Sequence, residues 1–133
     1  MSAAIQIVID TASATPAYRQ IVDQVRVLIA ERSLPAGAAL PPVRTLAREL
    51  AVHHNTVAEA YRTLAAEGLV EIAHGRGATV AGPAKPASVD ERKESLLTLR
   101  RRLREVVAEY RTRGLSPQQI ARELRGLTEG LNA

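Results

Sequence analysis

The stretch Val43–Leu64, read as VRTLARELAVHHNTVAEAYRTL, decides how this chain folds. Val43, Leu46, Ala47 and Leu50 recur at the three- and four-residue spacing that puts them on one face of a short helix. Val57, Ala60, Tyr61 and Leu64 repeat that spacing in a second helix, expected from about His54 to Glu67. Only a few residues around Ala51-Val52-His53 separate the two. Two helices crossing closely need a small residue, a turn residue and an apolar contact, and Ala47, Ala51 and Val57 stand at those places. The pattern is a helix-turn-helix. Its turn position often holds Gly, so a left-handed Ala51 is expected to cost about 1 kcal/mol.

Outward from this core, Gly68 suits the left-handed position that closes a helix. Leu69–Ile72 and Ala78–Val80 then read as two strands, with Ala73-His74-Gly75-Arg76-Gly77 as the hairpin loop between them. A glycine-tipped hairpin directly after a helix-turn-helix makes a wing. On the N-terminal side, Ile5, Ile7 and Ile9 alternate as in a brief strand. Thr15-Pro16 reads as a helix start, with Thr15 accepting from early amides and Pro16 in the first turn. Tyr18, Ile21, Val22, Val25, Leu28 and Ile29 continue at helical spacing until Leu34-Pro35-Ala36-Gly37 breaks the run.

Beyond the wing, Gly82-Pro83-Ala84-Lys85-Pro86-Ala87-Ser88 is a linker by composition. Two more helices follow. Val89 to Arg113 carries Leu96, Leu99, Leu103, Val106, Val107 and Tyr110 on one stripe, and Gly114 ends it. Ser116-Pro117-Gln118-Gln119 has the form of a capping box, and Ile120, Leu124, Leu127 and Leu131 recur behind it. The expected fold class is mainly α with a small β-hairpin wing. Residues 1–82 are a winged helix-turn-helix domain, 83–88 a linker, and 89–133 a two-helix tail. Two helices cannot bury both apolar stripes alone. The stripes can pack on the winged domain or pair with a second copy; pairing is the favoured reading, which makes Leu96, Leu99, Leu103, Val106, Val107, Tyr110, Ile120, Leu124 and Leu127 the candidate dimerisation residues of a homodimer.

Composition narrows the function. The 133 residues include no Cys, Trp or Phe and three Tyr, so disulfides and thiolate metal sites are out and aliphatic side chains fill the core. Apolar runs are too short for a membrane helix, and the N-terminus lacks the pattern of a signal peptide, which points to the cytoplasm. Net charge is +4, yet residues 1–83 hold seven Arg against seven acidic residues, so the whole excess lies in the tail. Any DNA contact must come from placed side chains, not bulk charge. Paired carboxylates, a Ser-His-Asp arrangement, a phosphate loop and metal-ligand spacing are all missing, so neither enzyme activity, a metal nor a cofactor is expected. Arg100-Arg101-Arg102 and Arg104 read as a solvated face beside the apolar stripe.

Several short motifs in order resemble one family. Pro16-Ala17-Tyr18-Arg19-Gln20-Ile21, Pro35-Ala36-Gly37, Leu40-Pro41-Pro42-Val43-Arg44, Leu46-Ala47, Asn55-Thr56-Val57, Ala60-Tyr61, Glu67-Gly68-Leu69 and Gly75-Arg76-Gly77 look like a GntR-type winged-helix transcription regulator. The resemblance covers about residues 10–82, and the short tail is similar to the YtrA-like branch, which leaves no room for a larger effector domain. It implies a cytoplasmic homodimer that binds an inverted-repeat operator in double-stranded DNA, usually as a repressor. Arg44 matches an arginine that reaches guanine, and Asn55 and Thr56 match polar positions opening the recognition helix. His74 and Gly75 match a wing tip that enters the minor groove, with Arg76 beside them. His53 and His54 stand where the family usually has Ser or Thr followed by Arg, and Pro42 replaces a usual Ser. With Arg62, these make the candidate DNA-binding set: Arg44, His53, His54, Asn55, Thr56, Arg62, His74, Gly75 and Arg76. The competing reading is a winged-helix module for protein–protein interaction. A small-molecule effector is not identifiable from the sequence.

Overall fold

A computed structural model describes residues 5–73, 77–82 and 86–131. The elements run α1 (Ala17–Ala30), α2 (Val43–Leu50), α3 (His54–Ala66), β1 (Val70–Ala73), β2 (Gly77–Val80), α4 (Val89–Thr112) and α5 (Pro117–Leu131). They fall into two compact units, Met1–Ala84 and Lys85–Ala133.

In the first unit, α1, α2 and α3 enclose one core. Ile21, Val22 and Val25 of α1 meet Leu46 and Ala47 of α2 and Val57, Ala60, Tyr61 and Leu64 of α3, with Leu34, Leu40, Val70, Ala78 and Val80 closing it from the loop and hairpin. Without Phe or Trp, many β-branched and small side chains supply this burial. β1 and β2 pair antiparallel with Val70 opposite Val80 and Ile72 opposite Ala78. A third stretch extends the hairpin: Leu40 N–H donates to the Ala78 carbonyl at 2.8 Å and Val80 N–H to the Ala38 carbonyl at 2.8 Å. The wing is thereby tied to the chain leading into α2.

The ends of α2 and α3 follow one recipe. After α3, Gly68 sits at φ 78°, Leu69 N–H donates back to the Leu64 carbonyl and Gly68 N–H to the Ala65 carbonyl. Leu69 is consumed by this closure, so β1 starts at Val70 and not at Leu69 as the alternation suggested. After α2 the same pair of bonds runs from Val52 to Ala47 and from Ala51 to Arg48, but the left-handed residue is Ala51, at φ 56° and ψ 43°. The left-handed turn expected there is present, with alanine bearing it.

Two expectations at the N-terminus are corrected. Ile5, Ile7 and Ile9 do alternate inward, Ile7 being buried, but the segment is not a strand, because no backbone among the described residues pairs with it. Two glutamines of α1 take that role. Val8 N–H donates to Gln24 Oε1 at 3.0 Å while Gln24 Nε2 donates to the Val8 carbonyl at 2.7 Å. Asp10 N–H donates to Gln20 Oε1 at 2.8 Å while Gln20 Nε2 donates to the Asp10 carbonyl at 3.0 Å. A carboxamide offers the same donor and acceptor as a peptide group. The four residues from Gln20 to Gln24 advance about 6 Å along the helix and two extended residues about 6.6 Å, so the rows match. Nor does the Thr15 side chain cap α1: the cap residue is Pro16, and the Thr15 carbonyl instead accepts from Gln20 Nε2 at 2.9 Å.

In the second unit, Ser88 Oγ accepts from Glu91 N–H and starts α4. The capping box of α5 is complete: Gln119 N–H donates to Ser116 Oγ at 3.1 Å and Ser116 N–H to Gln119 Oε1 at 2.8 Å. Val107, Ile120 and Leu124 are half-buried, and with Leu103, Val106, Tyr110, Leu115 and Leu127 they line an apolar groove between the two helices. Leu96 and Leu99, at 54 % and 52 % exposed, lie outside that groove. The nine apolar residues read from the stripes therefore divide: some pack α4 on α5, the rest face outward. No helix among the described residues is long and apolar enough to cross a membrane.

Candidate nucleic-acid interface

Arg44 is the second residue of α2, which begins directly after the fixed-φ pair Pro41-Pro42, and its side chain is exposed. The run is held from below. The Tyr61 hydroxyl, on the buried face of α3, donates to the Pro41 carbonyl at 2.7 Å. Burial pushes the Tyr61 phenol far up from its usual value, with the Glu49 charge adding to the shift, so it stays a neutral donor. One hydrogen bond inside the core thus fixes where α2 begins relative to α3.

At the start of α3, the ring of His53 does the work that Ser or Thr would do. Its Nδ1 accepts from Asn55 N–H at 3.1 Å. In neutral imidazole an accepting Nδ1 leaves the proton on Nε2, which becomes a donor. The His54 ring stacks on it at 4.3 Å between centroids. Arg44, His53 and His54 line one open concavity together with Arg48, Ala47 and Val52. Asn55 is exposed and Thr56 half-buried beside it, Thr56 N–H donating to the His53 carbonyl. Arg62 lies on the same outer face as Asn55, about 10 Å further along the axis. The structure thus brings Arg44, His53, His54, Asn55 and Thr56 together at one end of an exposed helix, with Arg62 further along it. His74, Gly75 and Arg76 fall outside the described residues.

Two features of this surface were not read from the sequence. Arg48, one turn after Arg44 on the same helix, joins the concavity, and the four-residue spacing already pointed to it. The cap at His53 was missed because His is not among the residues that usually fill that place. Among the described residues no group of three His, Cys, Asp or Glu side chains comes together as a metal cluster.

An exposed helix crossing a shorter one, followed by a two-stranded hairpin on a shared core, defines a winged helix-turn-helix protein with a surface suited to nucleic acid. The family profile described as "Bacterial regulatory proteins, gntR family" matches residues 17–80. Over 112 residues the chain is 31 % identical to the HTH-type transcriptional repressor YtrA of Bacillus subtilis, covering 84 % of each. It is 36 % identical to the solved structure of YtrA from Sulfolobus acidocaldarius, a GntR-family transcription factor, covering 73 % of this chain and 96 % of that one at a TM-score of 0.59. A transcriptional antiterminator from Listeria monocytogenes superimposes over 99 % of this chain and 96 % of its own at a TM-score of 0.75, and at 24 % identity that likeness speaks for the fold. The chain belongs to the GntR family and is a DNA-binding transcription regulator of that family. The curated relative is a regulator and not an enzyme, in keeping with the sequence.

Proposed function

We propose that this protein is a cytoplasmic repressor that binds an inverted-repeat operator as a homodimer. In each half-site α3 lies in the major groove. Arg44 bonds bidentately to guanine O6 and N7, and Asn55 and Thr56 meet bases or phosphates at the helix start. His53, through Nε2, with His54 and Arg62, contacts the backbone and sets register. His74, Gly75 and Arg76 contact the adjacent minor groove. The outward leucines of residues 89–133 pair with a second copy, and an isologous pair matches a palindromic site. The name of the Bacillus subtilis relative supports repression, and the exposed Leu96 and Leu99 support pairing.

The observation that carries this reading is the convergence of Arg44, Arg48, His53 and His54 on one concavity at the start of an exposed helix. The test is a salt titration of binding to DNA from upstream of the protein's own reading frame, against random duplex. The expected result is preference for the former, with log affinity falling against log salt at a slope of about −0.9 per phosphate neutralised. Equal affinity for both at every salt would favour a protein-binding module instead. Truncation after Pro83 followed by sedimentation tests pairing: a truncated chain that stays dimeric rules out the tail.

A further inference from the structure

A carboxylate occupies the middle of the proposed DNA-facing surface. Glu59 lies four residues after Asn55 and three before Arg62, so the three form one line along α3, opposite the buried Val57, Ala60, Tyr61 and Leu64. All three are exposed. Ion pairs among the described residues join Arg26 to Asp23, Arg26 to Glu67 and Arg113 to Glu109. Arg62, one turn away, does not hold the Glu59 carboxylate. The Thr63 hydroxyl donates at 2.9 Å to the Glu59 backbone carbonyl, and no donor among the described residues engages the carboxylate oxygens.

A free carboxylate directed at a polyanion is repelled unless a donor in the groove meets it. Major-groove donors are the amino groups of cytosine and adenine. Beside the adenine amino group stands N7, an acceptor that repels a carboxylate. Guanine O6 and N7 and thymine O4 repel it as well. Cytosine alone offers a donor without an adjacent acceptor on its own edge.

We propose that Glu59 is a specificity-determining residue, accepting a hydrogen bond from the exocyclic amino group of a cytosine in the major groove. It selects as much by refusing acceptor-bearing edges as by its own bond. Arg44 and Glu59 thereby read opposite chemistry, one donating to guanine and the other accepting from cytosine. This inference rests on the DNA-binding reading above.

The test is site selection from random duplexes by the full-length chain, as wild type, Glu59→Ala and Glu59→Gln, with affinities then measured on the selected sites. Wild type is expected to select cytosine at one position in each half-site. Glu59→Ala should lose that preference and bind the wild-type site about 5–150-fold more weakly. In Glu59→Gln the carboxamide both donates and accepts, so preference at that position should move from cytosine to adenine. Such a gain cannot come from a damaged fold. The proposal is overturned if Glu59→Ala binds all duplexes more tightly with the same base preferences, which is how a charge that only repels phosphate behaves. It is equally overturned if both variants select the wild-type sites unchanged. Should wild type select no sequence at all, the DNA-binding reading itself fails, and Glu59 with it.

Discussion

Replacing Ala51 by glycine should stabilise the winged unit, and the size of the gain follows from its backbone. Three helices end on the same pair of backward bonds, with Gly68 after α3, Gly114 after α4 and Ala51 after α2. At φ 56° and ψ 43° a Cβ crowds the neighbouring carbonyl, at about 1–2 kcal/mol. Glycine removes that strain but gives the unfolded chain more freedom, a loss of about 0.4–1 kcal/mol. Ala51 is exposed, so no packing is lost. The net gain is about 0.7 kcal/mol, which in a domain of this size raises Tm by about 3–6 °C. Thermal unfolding of Ala51→Gly beside Ala58→Gly measures it. Ala58 lies within regular α3, where glycine costs about 0.5–1 kcal/mol, so the two shifts should have opposite sign. A fall in Tm for both would mean that residue 51 is not left-handed and that α2 and α3 cross differently.

Arg44→Ala should relax discrimination at a single base position, at about 1–3 kcal/mol, in a binding series over point-mutated operators; a uniform loss at all positions would make Arg44 a phosphate contact instead. Tyr61→Phe leaves the Pro41 carbonyl buried without a donor and should cost about 1–3 kcal/mol in denaturant unfolding. No change there would mean that water replaces the hydroxyl and that α2 is held by other contacts. Leu96→Glu with Leu99→Glu should shift sedimentation from dimer to monomer while the winged unit unfolds as before, since both side chains are more than half exposed. Persistence of the dimer would place the pairing surface elsewhere.

Much of the fold was legible because it rests on local periodicity. The apolar spacing of Val43–Leu50 and Val57–Leu64 gave α2 to the residue and the start of α3, and Ser116 with Gln119 located α5. Failures came where a partner decides. Alternation at Ile5, Ile7 and Ile9 reports which side faces the core, but a strand also needs a backbone neighbour, and Gln20 and Gln24 stand in for one. Spacing likewise cannot say which apolar tail residues cover each other, so Val107, Ile120 and Leu124 looked the same as Leu96 and Leu99 until α5 was seen against α4. At the interface, the family resemblance marked Arg44 and Asn55, whereas the capping role of His53 and the presence of Arg48 depend on how α2 meets α3.

The central claim is that the surface formed by the start of α2 and the outer face of α3 touches DNA. Nuclear magnetic resonance of the labelled full-length chain, titrated with a duplex it has selected, tests this most directly. Amide and side-chain shifts should move at Arg44, His53, His54, Asn55, Thr56 and Arg62, while buried positions such as Val22 and Leu64 change little. Shifts confined to the tail, with Arg44 and Asn55 unmoved on a saturated duplex, would contradict it.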